Sequence, residues 1–169
     1  MTRSQRICGT LLTVAFAGGI AVAASTDVEH GSVRNPDEMK FAPLRSMPAC
    51  SESSLQSGNP ATGPSIALAK LTTGCEVPWH WHTPNEHLMM VSGEARIDTK
   101  DERSVALRAG GFARMPSRHV HRFTCVSECL LYVASDAAFD VHYVDAEDRE
   151  IPPETAFGPG GRRSAEAAP

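Results

Sequence analysis

No stretch of this chain shows sustained helical periodicity, no CxxC pair occurs, and basic residues cluster only at Arg162-Arg163. Each absence removes a class of protein. Without helical periodicity there is no basis for a bundle or for alternating βαβ units. Without a CxxC pair a thiolate zinc site lacks its usual anchor. Without a basic patch, and with a formal net charge of −4, the chain has no electrostatic footprint for nucleic acid. Arg162-Arg163 lies in a Gly/Pro-rich end and reads as solvated. Hydrophobic residues make up 41 % of the chain, which disfavours disorder, and 169 residues leave room for one domain.

The N-terminus is set apart from the rest. Arg3 and Arg6 give a positive start, Ile7 to Val22 is uncharged and apolar, and Ala21-Val22-Ala23 supplies small residues for cleavage. Residues 1–23 therefore read as a signal peptide. An uncleaved anchor is the alternative, but the run is short and glycine-containing for a membrane span. Cys8 precedes the apolar run, which argues against a lipoprotein. The expected product is acidic, exported to a periplasmic or external space, and without a stable membrane span after processing. It keeps Cys50, Cys75, Cys125 and Cys129, an even set that an oxidising compartment would turn to disulfides.

Residues 24–59 are polar and punctuated by Pro and Gly, and read as an arm that adds at most an edge strand. Asn59-Pro60 and Gly63-Pro64 are turns. Eight short apolar or alternating runs follow, at 65–71, 86–91, 94–98, 104–107, 111–115, 121–124, 130–134 and 139–144. That spacing predicts an all-β sandwich or barrel over 60–145. Residues 146–169 turn charged and then Pro/Gly/Ala-rich, and are expected to form a flexible tail.

Four of the seven histidines fall in two His-x-His pairs, at 80 and 82 and at 119 and 121. Residues i and i+2 of a strand share a face, so His80 and His82 can aim two imidazoles at one point. Glu86 has the same parity and follows a Thr83-Pro84-Asn85 turn. Imidazoles with a carboxylate suit Mn, Fe, Co, Ni, Cu or Zn and make a poor cage for Ca or Mg.

Gly74, five residues, His80-Trp81-His82, three residues, Glu86, six residues and Gly93 resemble the first cupin motif at every defined position. Gly110, Pro116 and His121 are similar to the second. The flanking sequence over Pro60–Asp145 resembles exported single-domain cupins. The resemblance implies a double-stranded β-helix, or jelly-roll, barrel holding one divalent ion (Fe, Mn, Ni or Zn) on His80, His82, Glu86 and His121. Two positions depart from the motif. Arg118 stands where a turn glycine is usual, implying a different turn or strain, and Cys125 replaces an asparagine.

Around this site, His119 reads as a residue of the barrel mouth or as a substitute ligand. His87 reads as a surface histidine, His142 and His30 carry no supporting spacing, and Trp79 and Trp81 read as packing for the second sheet, with a substrate platform as the alternative. Arg114 and Arg118 are either surface charges or binders of a carboxylate. Leu88, Met90 and Phe123 share the inward parity and are expected to line an apolar pocket for a small molecule. A metal enzyme is the first functional reading, oxygenase-type, with Glu86 as ligand and proton acceptor. The second is a binding module without turnover, and the third a purely structural ion. Edge-strand homodimers are common for such a fold, and the sequence leaves that assembly open. Finally, Val126-Ser127-Glu128 has the length of a hairpin loop, so Cys125 and Cys129 are expected to face each other as a disulfide. The competing pairing is Cys50 with Cys75, leaving Cys125 a buried thiol.

Overall fold

The computed structural model describes residues 31–100 and 103–158. The signal-peptide reading of 1–23 lies outside them. In chain order the strands are β1 (Ser51–Gly58), β2 (Ser65–Leu71), β3 (Glu76–Trp81), β4 (Glu86–Ser92), β5 (Glu94–Thr99) and β6 (Val105–Arg108). They continue as β7 (Phe112–Met115), β8 (His121–Cys125), β9 (Cys129–Ser135), β10 (His142–Val144) and β11 (Glu150–Ile151), before a short helix α1 (Pro153–Phe157). Two antiparallel sheets form a jelly roll, with strand orders β1-β2-β9-β4-β7 and β11-β10-β3-β8-β5-β6. The inward residues alternate along β4 and β8. On β4, Glu86, Leu88 and Met90 are buried and His87 and Met89 only partly so.

The arm adds an edge strand, β1, which pairs with β2 from Ser51↔Leu71 to Gly58↔Ser65. Two expectations change. The front of the supposed tail is built in: β11 pairs with β10, and Phe157 of α1 stacks edge-on against Tyr143 with ring centroids 4.9 Å apart. Residues 159–169 lie outside the described residues. The disulfide joins Cys50 to Cys75, with Cα atoms 5.6 Å apart, and Cys125 and Cys129 are free and buried.

The hairpin behind the Cys125–Cys129 expectation does not exist. β8 lies in the six-stranded sheet, where Cys125 pairs with Ala95, and β9 lies in the other, where Cys129 pairs with Leu71. Residues 126–128 cross between sheets and do not close a ladder. Gly93 makes that crossing fit, because a Cβ there would lie 2.0 Å from the Glu128 carbonyl oxygen.

A β-bulge in β3 matters for the site. Val77 pairs with Phe123 and His80 with His121, so three steps on β3 match two on β8. Pro78 sits in that irregularity, where its missing N–H does no harm to the ladder.

Candidate metal site

β3 ends at Trp81 in one sheet and β4 starts at Glu86 in the other, so the turn between them crosses the sandwich. His80 and His82 thus come from one sheet, with His121 of β8 beside His80, and Glu86 faces them from the other. All four are buried. The ligand atoms of His80, His82 and His121 lie within 4.8 Å of one another, positioned to hold a metal ion. The Glu86 oxygens stand 3.4 Å from Nε2 of His82 and 3.4 Å from Nε2 of His121.

Each imidazole is oriented by a backbone carbonyl. Nδ1 of His80 donates to Pro78 O at 2.6 Å, Nδ1 of His82 to Asp140 O at 2.5 Å, and Nδ1 of His121 to His119 O at 2.9 Å. A carbonyl only accepts, so each Nδ1 carries a proton and Nε2 is the ring nitrogen left for the site. This is the usual support for a metal-binding histidine. Burial, reinforced by the charges of His121 and His82, drives His80 well below the ordinary imidazole range and keeps it neutral. Burial would raise the Glu86 carboxyl, but the His82 and His121 imidazoles outweigh it and hold it below the usual range. An ionised carboxylate therefore faces Nε2 of His82 and of His121. Nε2 of His82 is buried with no hydrogen-bond partner, a costly arrangement unless a cation lies between them. The residues fit a borderline divalent metal.

The turn that carries the site is pinned from outside. Thr83 N donates to the Asp140 carboxylate at 2.7 Å, and Asn85 N to that of Asp136 at 2.9 Å. Arg114 donates to Asn85 Oδ1 at 3.1 Å, which gives that guanidinium a structural use. Arg118 keeps the turn that glycine usually makes, at φ 61°, so the departure from the motif is met by left-handed backbone. Its N–H donates to His82 O at 2.8 Å, and its guanidinium sits 4.7 Å above Trp81. Trp81 also stacks on His142, and Trp79 lies under Lys100 and Arg122. Both tryptophans pack the outer face. His87 points away from the ligands and stacks on Phe112. His119 is not one of the three clustered imidazoles.

The site opens into a cavity of about 50 Å³. Leu88 and Phe123 line it as expected. Met90 does not: it is buried in the core further along β4, where its backbone bonds Gly110 and Gly111. Residues not foreseen are Met47, Ala69, Leu71, Val77, Leu131 and Val133. Alternation along β2 and β9 could have yielded four of them. Val77 was hidden by the bulge, which reverses its parity relative to His80, and Met47 lies in irregular chain with no periodic signal.

Residues 67–134, which hold all four of these buried polar residues, match the family described as the cupin domain. These residues form a cupin domain. No curated protein matches it in sequence. This cupin is similar in fold to the polyketide cyclase RemF from Streptomyces resistomycificus, at 16 % identity and TM-score 0.62 over 78 % of this chain and 96 % of that one. It is likewise similar to a putative acetylacetone dioxygenase from Methylibium petroleiphilum, at 15 % and 0.58 over 75 % and 89 %. An RmlC-like cupin from Shewanella frigidimarina follows, at 17 % and 0.53 over 66 % and 92 %. At these identities the likeness is one of fold. Among the described residues no helix is long and apolar enough to cross a membrane.

Proposed function

We propose that this cupin is exported and holds one divalent transition metal (Fe, Mn, Ni or Zn) on His80, His82, Glu86 and His121. It would use that ion in an oxygenase-type reaction on a small, oxygen-rich molecule. The observation that carries the reading is the buried meeting of three imidazoles with an ionised Glu86, and the buried His82 Nε2 that no protein atom satisfies. Such an ion supplies Lewis acidity and, if redox-active, a place where O₂ and a chelating substrate meet. His80, His82 and His121 hold it in a geometry fixed by the Pro78, Asp140 and His119 carbonyls. Glu86 is ligand and proton acceptor, and Leu88, Phe123 and Leu131 keep bulk water away. Export is supported by the leader-like residues 1–23 and by the Cys50–Cys75 disulfide, which needs an oxidising compartment.

A second reading, a binding module without turnover, is favoured by one observation. The cavity of about 50 Å³ is lined by no acid or base beyond the four residues already used. One experiment separates the two. Iron- or manganese-loaded protein is given acetylacetone and related chelating compounds while dissolved O₂ is followed. An enzyme consumes O₂, and Glu86→Gln lowers turnover about 100-fold while weakening substrate binding far less. No O₂ consumption by wild type, or equal loss of both quantities in Glu86→Gln, leaves the binding module.

A further inference from the structure

The metal cavity is walled by strands on nearly every side. Of its lining residues only Met47 and Val133 are not fully buried. Val133 is on β9, inside its sheet, whereas Met47 lies in the irregular chain that precedes β1. Two pieces of irregular chain bridge the two sheets beside the cavity. At the level of the β1–β2 turn, Phe139 N donates to Pro60 O at 2.8 Å, and the Phe139 ring stacks on His82 with centroids 4.8 Å apart. The other is the segment 44–50, tied by the Tyr143 hydroxyl donating to Ser46 O at 2.8 Å and by the Cys50–Cys75 disulfide. Met47 lies between those two ties and faces the metal cavity.

Outside this segment lies a surface cleft of about 460 Å³ formed by Pro48, Ala49, Pro78 and Phe157 with Cys50 and Glu76. Neighbouring residues thus line opposite sides of one thin wall. Met47 and Val77 face the metal cavity, and Pro48 and Pro78 face the cleft. Segment 44–50 belongs to no regular strand, and a methionine side chain is the most readily rearranged of apolar plugs.

We propose that Met47 is the gate of the metal cavity: ion and ligand pass between the outer cleft and the site where its side chain moves aside, and its bulk sets the size of what is admitted. The proposal rests on the reading of the site as a metal site. It also narrows the ligand class. Beyond the four polar residues every wall of the cavity is apolar, so the admitted molecule carries its oxygen donors at one end and an apolar remainder at the other.

A gate changes how fast equilibrium is reached without changing where it lies. The test follows metal uptake by the apo-protein and metal loss to excess chelator, after metal per chain has been measured, in wild type, Met47→Ala, Met47→Trp and Phe139→Ala. Met47→Ala is expected to raise both rates about tenfold with affinity unchanged within about twofold, and Met47→Trp to slow both. Phe139→Ala, at the other bridge, should leave both rates near wild type. Faster exchange in Phe139→Ala with none in Met47→Ala would overturn the gate while leaving the metal site intact. So would a Met47→Ala change confined to the loss rate, which means weakened binding. A wild type that takes up no metal removes the reading of the site and the gate with it.

Discussion

His121 and Cys125 stand at opposite ends of β8 on the same inward face, and both are 1 % exposed. They solve burial in opposite ways. Burial raises the Cys125 thiol, a shift the neighbouring Cys129 reinforces, so it stays neutral and sits as a small apolar group among Cys75, Ala95 and Leu131. His121 is anchored at Nδ1, but its Nε2 looks across the sandwich at Glu86. One end of the strand lies in an apolar core and the other in a cluster of imidazoles and a carboxylate. Between them Phe123 separates a core that holds the fold from a site positioned to hold an ion. Burial alone therefore does not mark function. What marks it is the convergence of His80, His82, His121 and Glu86 on one point, with the orphaned Nε2 of His82 among them.

The comparison can be broken first at the covalent tie beside the cysteine end. Replacing Cys50 and Cys75 together by serine should cost about 3 kcal/mol by loss of the cross-link, read as a lower midpoint in denaturant. Unreduced peptide mapping of exported protein should show these two joined, Cys125 and Cys129 as thiols, and a chain starting at or near Ala24. A Cys125–Cys129 linkage would instead mean that 126–128 closes a hairpin. At the other end, metal should stabilise wild type by about 2.7 kcal/mol at a free concentration a hundred times its Kd, and His121→Ala should lose that gain. Cys125→Ser should sharpen the contrast, losing about 1–3 kcal/mol from a buried hydroxyl yet keeping the full metal-dependent rise in melting temperature. If the serine variant loses the metal response as well, the two ends are not independent. The smallest effect is expected at Arg118. Arg118→Gly should exceed Arg118→Ala in stability by about 1 kcal/mol, because only glycine takes φ 61° without strain.

Much of this was legible in the sequence because two simple periods carry it. His-x-His places two rings on one strand face, and the four-residue step from His82 to Glu86 spans one sheet-to-sheet turn. The alternating runs mark most strands, with β2 at its observed bounds. What escaped depended on which strands become neighbours. Cys125 and Cys129 look like a closing pair until β8 and β9 prove to belong to different sheets. Val77 looks outward until the bulge at Pro78 resets the count. The arm at 44–50 has no period at all. Its place depends on Tyr143 and Cys75, 97 and 25 residues from the groups they hold.

The measurement closest to the central claim is the metal content of protein purified after export, for wild type, His121→Ala and the outward His87→Ala. The account predicts about one transition-metal ion per chain in wild type and His87→Ala, and almost none in His121→Ala. A wild type without metal, or a His121→Ala protein that keeps its ion while His87→Ala loses it, would contradict it.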